Sequence, residues 1–70
     1  MRTVKITAQG PLGWSDSTEV FGEDDLLLTA GGVVKPTRQL REGDVLIRFW
    51  ERNTQAWTIV KMEWMRREHK

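Results

Sequence analysis

The sequence contains no cysteine and a single histidine, His69. Disulfides and thiolate zinc sites are therefore excluded, and so is any histidine cluster around a metal. There are only two prolines, no tyrosine, and no apolar run longer than three residues, as in Leu26-Leu27-Leu28. A membrane-spanning helix needs about 20 apolar residues, so none is expected. No apolar leader precedes the first alternating segment, and a cytoplasmic location is the expectation. Charge of one sign is also scarce, because 11 basic and 10 acidic side chains leave a net charge of +1. That balance does not by itself call for a polyanionic partner.

What the sequence does have is 70 residues, enough for one domain spanning 1–70. A chain this short buries only about 60% of the surface that it exposes when unfolded. Without disulfides or metals, it must be held by an efficient core of large residues or by self-association. The six glycines fall between apolar runs, at short intervals that favour strands over helices. Val4, Ile6 and Ala8 alternate with Thr3, Lys5 and Thr7, the period of two of a half-buried strand. Thr18 to Phe21 reads as a short strand, after a loop over Gly10–Ser17 and before the acidic turn Gly22-Glu23-Asp24-Asp25. Leu26–Thr29 and Val33–Lys35 flank Ala30-Gly31-Gly32 as a hairpin, and Pro36 marks an edge or an end. Thr37–Leu40 reads as a single helical turn or a short bridge, and Gly43-Asp44 turns the chain into the next strand.

The β-branched and aromatic residues of Val45–Glu51 and Ala56–Met65 predict a final hairpin. A turn centred on Asn53-Thr54 pairs Glu51 with Ala56 and Trp50 with Trp57. One face then carries Val45, Ile47, Phe49, Thr58, Val60 and Met62, and is expected to be core, Phe49 included. The other carries Leu46, Arg48, Trp50, Trp57, Ile59 and Lys61. Residues 63–68 could form a short C-terminal helix or prolong the last strand. The seven-residue spacing of Trp50, Trp57 and Trp64 would suit a helical heptad, but the β-branched residues around them favour strands. The fold expected is a mostly β, small antiparallel twisted sheet or SH3-like or OB-like partial barrel of about five strands.

Within that fold, Leu27-Leu28-Thr29-Ala30-Gly31-Gly32 followed by Leu40-Arg41-Glu42-Gly43-Asp44-Val45 resembles the middle of Hint (hedgehog/intein) domains. There a turn precedes a leucine-x-x-glycine-aspartate stretch. The N-terminal nucleophile and the threonine-x-x-histidine block of that family have no counterpart here, so neither splicing nor autoprocessing is expected.

No constellation for catalysis stands out. Ser15 and Ser17 have no internal histidine as base, and Ala30-Gly31-Gly32 lacks the lysine and following helix of a phosphate loop. Asp16, Glu19, Glu23, Asp24 and Asp25 lack the ligand spacing of a calcium loop and read as a solvated acidic turn. The expected role is a non-enzymatic interaction module without cofactor, binding another protein or itself, of the kind found among accessory and phage-type proteins. The mixed hairpin face, Leu46, Arg48, Trp50, Trp57, Ile59 and Lys61, is the candidate partner surface, because tryptophan and arginine dominate interface hot spots. An alternative is a single-stranded nucleic-acid-binding protein using Arg48, Arg52, Lys61, Arg66 and Arg67 beside the tryptophans, since bases stack on aromatic rings while cations meet the phosphates. A structural subunit of a larger assembly is the third reading.

Overall fold

The computed structural model describes residues 2–65. It is a six-stranded antiparallel sheet in the order β2-β1-β6-β5-β3-β4. The strands are β1 (Thr3–Gln9), β2 (Ser17–Gly22), β3 (Leu26–Thr29), β4 (Val33–Pro36), β5 (Val45–Trp50) and β6 (Asn53–Met65). The expected small twisted sheet is observed, with one strand more than expected. The last strand runs extended to Met65, so residues 63–65 belong to the sheet and not to a helix.

Each strand forms where side chains can alternate between core and solvent. Val4, Ile6 and Ala8 of β1 are buried, while Thr3, Lys5 and Thr7 between them are half-exposed. β3 and β4 are joined by a 3-10 turn over Ala30–Gly32, in which Gly31 and Gly32 have φ of 82 and 78. Those left-handed values are cheap only for glycine. A second 3-10 turn over Thr37–Gln39 delivers Leu40 into the core. Thr37 there is fully buried, and both its backbone N–H and its hydroxyl donate to the Asp25 carbonyl, at 2.8 and 2.9 Å. The turn between β2 and β3 is thereby tied to the connection that leaves β4.

The thirteen-residue β6 is the spine of the sheet. Its first half pairs with β5 and its second half with β1. Between the halves the register slips: Thr7 pairs with Lys61 but Ala8 pairs with Ile59. Val60 is the extra residue of a β-bulge, which kinks the strand and reverses the side-chain phase beyond it. Trp57 and Ile59 point into the core before the bulge, and Met62 packs on the same core after it. The sheet could not curl around a single core without this change of phase.

The hairpin differs from the sequence expectation in two ways. Trp50 pairs with Asn53 and Leu46 with Trp57, so the turn is Glu51-Arg52, not Asn53-Thr54. The turn lies two residues earlier, so each partner changes by four, an even shift that keeps the residues before the Val60 bulge together on each face, while Lys61 and Met62 beyond it change sides. The faces themselves are inverted. Leu46, Trp57 and Ile59 are buried, at 6%, 6% and 1% exposure, whereas Phe49 is 71% exposed and Val60 44%. The expected core face is the outer face. The reason lies in β1 and β6: opposite Val4, Ile6 and Ala8, only Leu46, Trp57 and Ile59 can complete a contiguous apolar cluster.

The observed turn holds Glu51 at φ 55, a left-handed conformation that favours glycine. A substitution at Glu51 therefore reports the register through its sign. Glu51→Gly should stabilise the domain by up to about 1 kcal/mol, because glycine relieves the left-handed strain. In the expected register Glu51 would lie in a strand, where glycine costs roughly 0.5–1 kcal/mol. Thermal denaturation reads the sign, at about 4–8 °C per kcal/mol for a domain of this size.

Candidate interaction surfaces

The concave side of the sheet is organised around Trp57. Its indole lies on Gly10, where an added Cβ would sit 2.6 Å from the ring. Trp14, from the loop between β1 and β2, meets it edge-on, with ring centroids 6.1 Å apart and planes at 78°. The Arg48 guanidinium sits over the same ring, 5.8 Å from its centroid, within cation–π range. The Trp57 Nε1 is buried and has no hydrogen-bond partner among the described residues. An orphan donor of that kind costs about 1–3 kcal/mol, and the packing around the ring must outweigh it.

Arg48 also closes the curl. From β5 it donates to the Ser17 hydroxyl of β2 at 3.3 Å and forms an ion pair with Glu19. β2 and β5 are separated in the sheet by β1 and β6. With neighbouring strands about 4.8 Å apart, a flat sheet would hold them roughly 14 Å apart, so contact requires strong curvature. A void of about 10 Å³ remains under the bridge, lined among others by Ile6, Phe21 and Leu46. Above it, Trp14, Arg48, Phe49, Gln55 and Trp57 line a groove of about 620 Å³. None of these five side chains carries a carboxylate, hydroxyl, thiol or imidazole for proton transfer.

Of the candidate partner residues, Leu46, Trp57 and Ile59 are core, and Arg48 is committed to β2. Lys61 is exposed on the opposite face and pairs with Glu63 at 3.3 Å. Trp50 closes the hairpin backbone, and its side chain lies outside the described part of the structure. The residues read as one surface are therefore not one surface. The candidate nucleic-acid set is dispersed as well: Arg48 and Lys61 are ion-paired on opposite faces, Arg52 is exposed at the hairpin turn, and Arg66 and Arg67 lie outside the described residues.

The acidic residues around β2 are held locally. Glu23 pairs with Arg2 and Asp24 with Arg38, at 3.2 and 2.6 Å, and Asp25 accepts the Gly22 N–H. The hydrogen bond from Arg2 holds the Glu23 carboxyl below its ordinary pKa, so this contact persists above the usual carboxylate range and is lost as pH falls through the lowered value. Among the described residues no group of three or more His, Cys, Asp or Glu converges as metal ligands would.

The outer face was missed as a surface. Leu28 and Ile47 lie one step along from the Thr29–Leu46 bridge, and so on the face opposite the core. Leu28 pairs with Val34, and Ile47 with Ala56. A row of Val34, Leu28, Ile47 and Ala56 therefore crosses four strands. Leu26 and Phe49, 67% and 71% exposed, flank it on β3 and β5. No outward position of β3, β4, β5 or the first half of β6 is charged. The outward positions of β1, β2 and the end of β6 are different: Lys5, Thr7, Thr18, Lys61 and Glu63 stand among Val20 and Met65 and make that half more polar. A signal for this inversion was present in β6, where the bulky Trp57 and Ile59 alternate with the small Ala56 and Thr58.

No protein-family model, curated protein or solved structure matches the chain.

The Trp57 packing generates one prediction. Trp14, Arg48 and the core hem in the ring, so it cannot retreat from a new methyl group. Gly10→Ala should cost about 1–3 kcal/mol, the usual price of overpacking, seen as a lower thermal midpoint. A midpoint unchanged within a degree would show that the ring has room to move.

Proposed function

We propose that this chain is a non-enzymatic interaction module that associates with another protein or with its own copy. The observation that carries the reading is the division of the outer sheet face. A sheet surface left to water alternates towards polar residues, as the β2-β1 half does. The β5-β3-β4 half instead presents Leu26, Leu28, Val34, Ile47 and Phe49 with no charge among them. Contiguous exposed apolar patches of a few hundred Å² mark interaction sites in soluble proteins. The partner surface is thus moved from the mixed hairpin face to the reverse side of the same hairpin. The aromatic groove at Trp14 adjoins it through Phe49, which lines both.

Phe49→Ser tests the reading. Phe49 is 71% exposed, so the variant should keep a cooperative thermal transition close to that of the parent, within about 0.5–1 kcal/mol. It should lose association, read by light scattering, and uptake of an apolar dye. A variant that unfolds would place Phe49 in a core, and one that associates as before would show that this face binds nothing.

A further inference from the structure

We infer that the apolar half of the outer face is covered by a second copy of the chain, packed face to face about a two-fold axis beside Ile47. The inference rests on the reading of that face as an interaction surface and adds its occupant. Charge is the first argument. The outward positions of β3, β4, β5 and the first half of β6 are Leu, Pro, Val, Ile, Phe, Ala and Thr. Such a face has no charge with which to select a partner of opposite sign, and a copy of it meets no like-charge repulsion. The polar half, with Lys5, Lys61 and Glu63, keeps the copy from sliding across the whole sheet.

Relief is the second argument. Along β5 the outward residues are Val45, Ile47 and Phe49, spaced evenly about Ile47. Phe49 stands proud at one end, and Val45 with its neighbour Thr58 is half-buried at the other. A two-fold axis beside Ile47 lays Phe49 of each copy over the Val45–Thr58 end of the other. Such a pairing is isologous and closed, so it stops at two copies.

Area is the third. A large aromatic side chain offers roughly 200 Å², and Phe49 exposes 71%, Leu26 67% and Val34 55% of their surfaces. With the half-buried residues between them, the patch offers on the order of 600 Å² per copy, and pairing removes about 1,200 Å², the lower end of the range for specific complexes. An interface of that size lies where weak and transient complexes are found.

Sedimentation of the full chain from micromolar to millimolar concentration tests this. The parent should pass from monomer to dimer. Phe49→Ser and Leu26→Ser should each weaken the dimer by about tenfold or more. Val20→Ser, on the polar half, should leave it unchanged. A parent that stays monomeric throughout overturns the inference, as does a dimer that survives both variants. Anilinonaphthalene sulfonate separates the two levels of the argument. If a monomeric parent takes up the dye and Phe49→Ser does not, the face is open to a different protein and only the second copy is wrong. If neither takes up dye, the interaction reading falls as well. Because Leu26 and Phe49 lie on different strands, loss of the thermal transition in one variant leaves the other to decide.

Discussion

The structure depends on the burial of one indole. Trp57 is the largest side chain among the described buried residues, and the neighbours that enclose it come from the β1–β2 loop and from β5. Gly10 leaves room beneath it, Trp14 closes one edge, and Arg48 covers the ring while reaching across to Glu19 and Ser17. Burial of an aromatic side chain contributes a few kcal/mol, a large share of the stability that a domain of this size can hold. The curl of the sheet follows from that enclosure, since β2 and β5 must approach each other over the ring. The exposure of the reverse side follows too. A hairpin with apolar residues on both faces can bury only one of them in a small single-layer sheet.

That choice marks the limit of what the sequence discloses. The strand at β1, the β3-β4 hairpin with its two glycines, the single turn after Pro36 and the extents of β5 and β6 are legible from alternation and turn chemistry. Inside and outside are not. Val45, Ile47 and Phe49 form as good an apolar face as Leu46, Arg48 and Trp50, so periodicity along β5 is indifferent. The decision is made by pairing with β1, from Thr3 opposite Met65 to Gln9 opposite Thr58, across most of the chain. The turn adds to the difficulty, because Glu51 occupies a left-handed position for which glycine or asparagine would be the recognisable signal.

The candidate site was legible to the same degree. Excess apolar surface on the final hairpin could be read, because two strands with four apolar faces exceed what a 70-residue core can hold. Which face was in excess could not. Tryptophan and arginine together suggest an interface, yet here they make a closed internal contact. The phenylalanine that looked like core stands in the open. The bulge at Val60 compounds this, since a pattern read at constant period across it assigns Met62 to the wrong side.

The position of β6 bears on how the domain is assembled. It is the last of the described strands and yet central in the sheet, with β1 on one side and β5 on the other. The pairing of greatest sequence separation, β1 with β6, therefore waits for it. Until β6 is in place, β1 and β2 form only a two-stranded ribbon, marginal in water, and β3 to β5 a separate three-stranded piece. Closing β1 on β6 also means ordering almost the whole chain as a loop, an entropic toll collected before the core rewards it. On a ribosome such a chain has little native structure to gain before β6 emerges, and its folding is deferred until then.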